Sequence, residues 1–365
     1  MKILIFNRKD ITHPRGGGAE VYTHEIGKRL VKLGNEVTIF CGSYPKAKKR
    51  EVIDGIKIMR VGTDYNVYLY AFKAYLSSLK GKYDIVIDEI NAIPFFTPLY
   101  VKEPKIALIH QMVKEIFYVE LPFRTAIVGR LAEKLIPYFY SNMNFVTVSP
   151  STKKDLIYDG IPEENISIVY NGLCHKKYLP GRKSNFPNIL YLGRLEKYKG
   201  VDTLIKSFQH VISEYPEARL NIAGYGNAEL YLKDIVKRLK LDNYVNILGH
   251  VTEKEKAELL QKAWIFVAPS IREGWGLSLM EANACGTPGI AFYVPGLKDS
   301  IRNNKTGILI KNRDETKLSD SIKKLIKDKN LRKTLSNNSI NWSKKFDWDK
   351  TTEKFLDIIE KKVNE

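Results

Sequence analysis

The sequence predicts an α/β protein made of two domains, each with a parallel sheet. Short apolar segments such as "KILIF" alternate with longer amphipathic segments, a pattern typical of strands joined by crossover helices. The chain of 365 residues exceeds the size at which a single hydrophobic core usually stops growing. The alternation also restarts after a segment rich in Pro, Gly and Lys at 176–188, which is typical of a linker.

The strands and helices can be placed in chain order. One amphipathic segment, 20–34, predicts the first helix. In the first half we predict strands near 2–7, 36–41, 56–60, 84–88, 105–109, 145–148 and 166–169. In the second half we predict strands near 189–192, 219–223, 244–248, 265–268 and 289–292.

These elements define the predicted domain organisation. Residues 1–172 form the first Rossmann-like domain, 173–187 the linker and 188–345 the second Rossmann-like domain. The last segment, 346–365, is helical and is expected to cross back to the first domain. Two such domains facing each other form a cleft at the carboxyl ends of their strands, where ligands bind in open α/β sheets.

Composition limits the function classes. Three cysteines lie far apart, and the first apolar run is too short for a secretory signal, which predicts a cytoplasmic protein. The net charge of +18 favours a polyanionic partner: nucleic acid, anionic membrane or phosphorylated substrate. The alternative is a lysine-rich surface without a specific partner. No recognition helix, RRM or zinc signature is present, so no nucleic-acid partner is expected.

In each half, one loop follows the first strand and contains residues suited to phosphate. "GGGAE" (16–20) contains Gly17 and Gly18 and leads into the first helix, whose N-terminal N–H groups suit phosphate. A tight turn without a ligand is the alternative. "GRLEKYKG" (193–200) places Arg194 and Lys199 at the exit of a strand. A guanidinium beside an ammonium is suited to a diphosphate, and the alternative is two solvated cations.

Two glutamates occur eight positions apart in "REGWGLSLMEANACGTP" (272–288). Glu273 precedes a glycine turn, and Glu281 falls early in a predicted helix. Two carboxylates are also what a glycosidase needs, as acid and nucleophile. A glycosidase, however, does not need an Arg/Lys pair for a diphosphate.

Taken together, these motifs resemble the retaining, nucleotide-sugar-dependent glycosyltransferases of the GT-B fold, glycosyltransferase group 1 (family 4). The resemblance covers nearly the whole chain. It rests on "GGGAE", "NGL" (171–173), "GRLEKYKG", "LGHV" (248–251), "APSIREGWGLSLMEANACGTP" and "FDWDKTTEKF".

The resemblance implies a role for each matched charged residue. Arg194 and Lys199 would neutralise the donor diphosphate, including the charge that develops as it leaves. Glu273 would contact hydroxyl groups of the transferred sugar. Glu281 would accept hydrogen bonds from the ribose hydroxyls. The donor would be a UDP- or GDP-sugar, used as co-substrate with no cofactor.

The resemblance also implies contacts that depend on backbone or small residues. Gly17 and Gly18 would let the first domain approach the phosphates, and Val251 would lie against the base. Four consecutive residues would offer backbone N–H groups to sugar and phosphate: Trp275, Gly276, Leu277 and Ser278.

His110 ends the strand "KIALIH", and in the family a histidine here lies beside the reacting sugar. We therefore predict His110 as a catalytic residue with Glu273, Arg194 and Lys199. No carboxylate is predicted at the reacting face of the first domain, which favours front-face transfer with retention.

"DWD" (347–349) matches a metal signature of another fold, but Asp347 suits a helix N-cap, and no metal is expected.

Several alternatives stay open, among them a sugar-nucleotide epimerase of the same architecture and a catalytically silent family member.

The acceptor is the least determined feature. In 66–80, apolar residues at 68, 69, 72, 75, 76 and 79 predict one helical face, and 123–140 mixes cations with aromatics. Either helix alone suits a core-packed element. Together with the cluster at 46–50 they favour a lipid or lipid-linked acceptor at the cytoplasmic membrane face, the alternative being a soluble sugar or protein.

Overall fold

A computed structural model describes residues 1–365. The chain divides into two compact units, Met1–Gly172 with Trp348–Glu365, and Leu173–Asp347. The predicted linker residues cluster with the second unit, where His175 Nε2 lies 2.7 Å from the Phe346 carbonyl oxygen.

The first unit is an eight-stranded sheet covered by helices on both faces. Its strands lie in the order β3-β4-β2-β1-β5-β6-β7-β8, and only β3 and β4 pair antiparallel. The elements are β1 (Lys2–Phe6), α1 (Gly18–Lys32), β2 (Glu36–Ser43), β3 (Arg50–Ile53), β4 (Ile56–Thr63), α2 (Val67–Ala74), β5 (Ile85–Ile90), β6 (Lys105–Ile109), α3 (Ile116–Glu120), α4 (Phe123–Lys134), α5 (Ile136–Tyr140), β7 (Asn144–Thr147), α6 (Pro150–Tyr158) and β8 (Ile166–Ile168).

The second unit is a six-stranded parallel sheet with the strand order β11-β10-β9-β12-β13-β14. Its elements are β9 (Asn188–Leu192), α7 (Val201–Ile212), β10 (Arg219–Ala223), α8 (Glu229–Arg238), β11 (Val245–Gly249), α9 (Glu253–Lys262), β12 (Ile265–Ala268), α10 (Leu277–Ala284), β13 (Gly289–Phe292), α11 (Leu297–Ser300), β14 (Gly307–Ile310), α12 (Glu315–Lys327) and α13 (Lys329–Ser343).

Sequence analysis missed two strands, both short. β3 pairs with β4 through a turn at Asp54 and Gly55, whose φ values are +49° and +82°. Positive φ at both central residues is the hairpin geometry that Asp-Gly favours, so the "IDGI" segment already indicated a β-hairpin in the sequence. β14 is an edge strand of four residues, which is too short to show a clear alternation of apolar and polar residues.

The last helix, α14 (Trp348–Asn364), packs on α1 within the first unit. The Tyr22 ring lies edge-on to Trp348 and Phe355, with ring centroids 5.9 and 6.4 Å apart. Arg29 Nε donates to Asp349 Oδ1 over 2.6 Å. One carboxylate of the "DWD" segment therefore neutralises a cation on α1.

The helix face predicted for 66–80 differs from the one that the structure buries. Val67, Ala71, Tyr75 and Leu79 form the buried stripe, whereas Leu69, Phe72 and Leu76 are exposed. Both stripes have helical spacing, so periodicity alone did not decide between them. The buried stripe belongs to a core cluster with Phe6, Phe40 and Phe95.

A fully buried ion pair joins the loop after β1 to β4. Arg60 Nε donates to Asp10 Oδ2 over 2.7 Å, and both side chains are 0% exposed. Burial alone would raise the pKa of Asp10, but the hydrogen bonds from Arg60 and Thr12 outweigh it and lower that pKa to about 2. This pair fixes the start of the loop that leads to Gly17.

Replacing Asp10 with asparagine leaves the Arg60 guanidinium buried without its closest counter-charge. We expect the free energy of unfolding to fall by about 3–5 kcal/mol, measured by urea denaturation at neutral pH. Because the folded pKa of Asp10 lies below its unfolded value, its stabilising contribution is present above the ordinary carboxyl value of 3.8 and is lost as the pH falls towards about 2. The control Glu36→Gln breaks an exposed pair with Lys57 and should change stability little. A loss below about 1 kcal/mol for Asp10→Asn would contradict the pairing.

Candidate functional site

The candidate site of the second unit lies at the carboxyl edge of its parallel sheet. β9 is flanked by β10 on one side and by β12 on the other, so the chain leaves β9 in one direction and later returns to its other side. The loops after β9 and β12 contact each other at this point, where the Ile271 N–H donates to the Tyr198 carbonyl oxygen over 2.9 Å. Such a topological switch point is where open α/β sheets bind ligands.

Lys199 and Glu273 meet at this switch point. Lys199 follows β9, Glu273 follows β12, and Lys199 Nζ donates to Glu273 Oε1 over 2.6 Å. Ser270 Oγ donates to the same oxygen over 2.8 Å. The side chains of Lys199 and Glu273 are 13% and 20% exposed, so both charges face a largely desolvated space.

The charge state of Lys199 follows from this contact. Burial would lower the pKa of the ammonium, but the Glu273 carboxylate outweighs it, and the pKa is raised. Lys199 therefore carries its positive charge throughout the neutral range. A permanent cation beside a carboxylate can bind an anion once the carboxylate has another partner.

Arg194 is the second cation of the β9 loop. Arg194 Nη2 donates to the Tyr198 hydroxyl over 2.8 Å, and Lys199 Nζ lies 4.8 Å from the centre of the Tyr198 ring. The Tyr191 hydroxyl donates to the Arg194 carbonyl oxygen over 2.7 Å. Tyr198 thus contacts both cations, and Tyr191 fixes the backbone between them.

Two glycines permit these loops to approach one another. Gly200 has φ +66°, and a Cβ there would lie 2.1 Å from the Pro269 carbonyl oxygen. Gly296 has φ +80°, and a Cβ there would lie 2.1 Å from the Glu273 carbonyl oxygen. Neither position accommodates a side chain. The placement of Glu273 therefore depends on the bare backbone of the β13 loop.

The residues after Glu273 form the N-terminus of α10. Gly276 is the N-cap with φ +88°, and Leu277 and Ser278 are the first two helical residues. N–H groups in a first helical turn have no partner within their helix and attract anions. The Trp275 side chain is buried, and its ring centroid lies 5.1 Å from that of Phe346. Trp275 therefore supports the turn from inside.

Glu281 is buried on α10 and ion-paired with α9. Lys256 Nζ lies 2.8 Å from each carboxylate oxygen of Glu281. The same ammonium lies 5.3 Å from the centre of the Tyr178 ring. Val251, half-buried, lies in the short loop between β11 and α9. The structure does not join Glu281 to Glu273 through a shared partner.

In the first unit, the glycine-rich loop leads directly into α1. Gly17 is the N-cap, and its N–H donates to Glu20 Oε2 over 2.6 Å. Glu20 is buried and also pairs with Lys9 at 3.2 Å. A Cβ at Gly18 would meet nothing within 4 Å. The protein itself thus leaves space at Gly18.

His110 lies at the carboxyl end of β6, beside a buried carboxylate that sequence analysis did not predict. His110 Nε2 lies 3.2 Å from Glu89 Oε1. Glu89 Oε2 accepts hydrogen bonds from Asn7 Nδ2 at 2.7 Å and Thr23 Oγ1 at 2.6 Å. Burial raises the pKa of Glu89, and the hydrogen bonds from His110 and Thr23 oppose that rise.

Glu89 is a carboxylate in contact with His110, whereas we predicted no carboxylate at the reacting face of the first domain. Its side chain is 0% exposed and both oxygens have partners, so it contacts His110 without reaching solvent. The signal was present in the sequence: "IVIDEI" is an apolar strand with two acids, and buried acids need partners. Ser270 and Lys256 were also missed, and no spacing pattern identified them.

Two Rossmann-like units, the second with two cations and a carboxylate at its switch point, are the architecture of the GT-B class. Comparison with known families agrees with this class. The family 4 glycosyltransferase model matches residues 16–176, and the glycosyl transferases group 1 model matches residues 179–342. The chain belongs to the group 1 / family 4 glycosyltransferases.

Individual relatives and structures cover nearly the whole chain. An uncharacterized glycosyltransferase of Methanocaldococcus jannaschii is 27% identical, over 100% of this chain and 99% of the relative. The gpi3 subunit of the phosphatidylinositol N-acetylglucosaminyltransferase of Schizosaccharomyces pombe is 24% identical, over 87% and 72%. The structure of Anabaena Alr3699/HepE in complex with UDP-glucose has a TM-score of 0.80 at 16% identity, over 99% and 100%. The last similarity shows the fold.

Proposed function

We propose that this chain transfers a hexose from a nucleotide diphosphate sugar, a UDP- or GDP-sugar, to an acceptor, with retention and without a metal. The observation that carries the proposal is the Lys199–Glu273 pair beside Arg194 at the switch point of the second unit. The family match and the UDP-glucose complex of a protein with the same fold support it.

The donor contacts follow from the chemistry of each residue. Arg194 and Lys199 bind the diphosphate and stabilise the charge that develops as it leaves. Glu273, freed from Lys199 in this exchange, accepts hydrogen bonds from hydroxyls of the transferred sugar. The N–H groups at the start of α10, from Leu277 and Ser278, face phosphate and sugar.

The rest of the donor is bound by uncharged surfaces and one carboxylate. Val251 lies against the base, and Gly18, which follows the N-cap Gly17, leaves room for phosphate oxygens. Glu281 accepts hydrogen bonds from the ribose hydroxyls, which requires that it share its carboxylate with Lys256. That pairing orients the carboxylate before the donor arrives.

The chemical step needs little from the protein beyond charge stabilisation. The bond from the anomeric carbon to the diphosphate breaks while the acceptor oxygen bonds to the same face of that carbon. The departing phosphate oxygen takes the acceptor proton. His110, oriented by Glu89, stabilises the charge that develops beside the reacting sugar.

For the acceptor, we propose a lipid or lipid-linked molecule at the cytoplasmic face of a membrane. A relative whose name includes phosphatidylinositol supports this class, and so does the exposed apolar surface of α4 and α5. A soluble sugar or protein acceptor is the alternative. An epimerase is not favoured, because the family models describe glycosyltransferases.

Arg194→Ala removes one charged contact to the leaving group. We expect kcat/KM for the donor to fall a hundredfold or more, about 2.7–4 kcal/mol, while the unfolding temperature changes little. The matched control is Lys197→Ala, an exposed cation in the same turn, which should leave turnover near wild type.

Equal effects of the two substitutions would remove the diphosphate role from Arg194.

A chelator added to the wild-type enzyme should leave turnover unchanged, because Arg194 and Lys199 supply the charge that a metal would otherwise provide. Strong inhibition by EDTA would contradict the metal-free proposal.

The stereochemistry of the product is a separate prediction. NMR of the anomeric centre should show the configuration of the donor, because the acceptor attacks the face from which the diphosphate leaves. An inverted linkage would refute front-face transfer.

Retention also results from double displacement, for which Glu89 is the carboxylate nearest His110. Its burial predicts that no glycosyl group becomes attached to it. Mass spectrometry of the protein denatured after incubation with donor should therefore show an unmodified peptide containing Glu89. A glycosylated Glu89 would establish the two-step route instead.

A further inference from the structure

Helix α4 is amphipathic, but its apolar side faces outward. Phe123, Val128 and Leu131 are 71%, 65% and 56% exposed. Its buried residues are Ala126, Gly129 and Glu133, two small residues and a carboxylate. An amphipathic helix on a soluble protein normally buries its large apolar residues. We define the outer face of α4–α5 as Phe123, Arg124, Ile127, Val128, Leu131, Lys134, Leu135, Tyr138 and Phe139.

Specific contacts fix this orientation of α4. The Glu133 carboxylate accepts hydrogen bonds from the backbone N–H groups of Val113 and Lys114 and pairs with Arg130 Nη1 at 2.7 Å. A Cβ at Gly129 would lie 2.5 Å from the Phe117 ring. Rotating the helix would break these hydrogen bonds and bring larger side chains against Phe117. The outward apolar side is therefore built into the fold.

The apolar surface extends from α4 into α5. Leu135 and Tyr138 are exposed, and the Phe139 ring packs edge-on to Phe96 at 5.6 Å between centroids. Such contiguous apolar surface on a soluble protein marks an interaction site. No helix of the chain is both long and apolar enough to cross a bilayer, so an interaction with lipid would occur at the membrane surface.

The charges on this surface are all positive. Arg124 and Lys134 are exposed on the outer face. Between Leu121 and Ser141 the one acidic residue is Glu133, which is buried and paired with Arg130. Apolar side chains interspersed with cations suit an anionic lipid surface, where the apolar groups enter the acyl boundary and the cations meet phosphate.

A second copy of the chain fits this face less well. A two-fold symmetric contact places the same patch against itself. Arg124 and Lys134 would then approach their own copies with no exposed carboxylate on the face to neutralise them. Charge complementarity thus favours lipid over self-association.

We propose that the outer face of α4–α5 docks on anionic bilayers and so brings the enzyme to a membrane-bound acceptor. This inference rests on the proposed function for its biological purpose, but the docking itself is independent of sugar transfer. The two can therefore fail separately.

The test is co-sedimentation of the full chain with vesicles of phosphatidylcholine, with and without phosphatidylglycerol. We expect binding to the anionic vesicles at low salt and weaker binding at high salt. Arg124→Gln with Lys134→Gln should weaken binding about thirtyfold, since each basic residue contributes roughly a factor of five. Val128→Ser with Leu131→Ser should weaken binding to both kinds of vesicle.

The matched control is Leu230→Ser on α8, where the leucine is 82% exposed in the second unit. It should bind vesicles like wild type. Protein that stays in the supernatant at low salt, or equal loss in the control, would overturn the proposal. So would light scattering that shows wild-type dimers without lipid and monomers for Val128→Ser with Leu131→Ser.

Turnover of UDP-glucose and GDP-mannose with a panel of soluble and lipid-linked acceptors, measured on the same preparations, distinguishes the two proposals. Vesicle binding without any sugar transfer would leave the docking face in place and count against the proposed function. Sugar transfer without vesicle binding would support the proposed function and count against the docking face. Unchanged thermal unfolding of the surface variants confirms that they fold.

Discussion

The ion pair between Lys199 and Glu273 is the interaction on which the donor site depends. A site for a diphosphate needs cations, and a poorly solvated ammonium is unstable without a counter-charge. Glu273 supplies that charge at 2.6 Å. In the proposed function a diphosphate replaces the carboxylate as the partner of Lys199, and Glu273 then accepts hydrogen bonds from sugar hydroxyls. Both contacts depend on β9 and β12 being neighbours in the sheet.

The same principle organises the first unit, with the charges exchanged. There the buried group is a carboxylate, Glu89, and its partners are His110, Asn7 and Thr23. These hydrogen bonds join β1, α1, β5 and the exit of β6, so the orientation of His110 depends on four segments distant in sequence. In both units, a charged side chain near the carboxyl edge of the sheet is held by charged or polar partners from other segments of the chain.

The sequence predicted the fold because strand–helix alternation is a strong local signal. It also predicted roles for Arg194, Lys199, Glu273 and Glu281, because their spacing resembles a known family, and those roles stay predictions. It did not identify Lys256 or Glu89, since their importance comes from partners that only the folded chain brings near. The sequence pattern also could not predict the orientation of α4. Periodicity shows that a helix has an apolar side, but Glu133 and Gly129 determine which side is buried.

Binding of a nucleotide diphosphate sugar to the second unit can be measured without knowing the acceptor. The direct measurement is thermal unfolding of the wild-type chain with a panel of UDP- and GDP-sugars. A ligand at about 100 times its dissociation constant should add about 2.7 kcal/mol of apparent stability. We predict that at least one of these sugars raises the unfolding temperature of wild type and shifts that of Lys199→Ala much less. No shift with any of them, or equal shifts in both proteins, would contradict it.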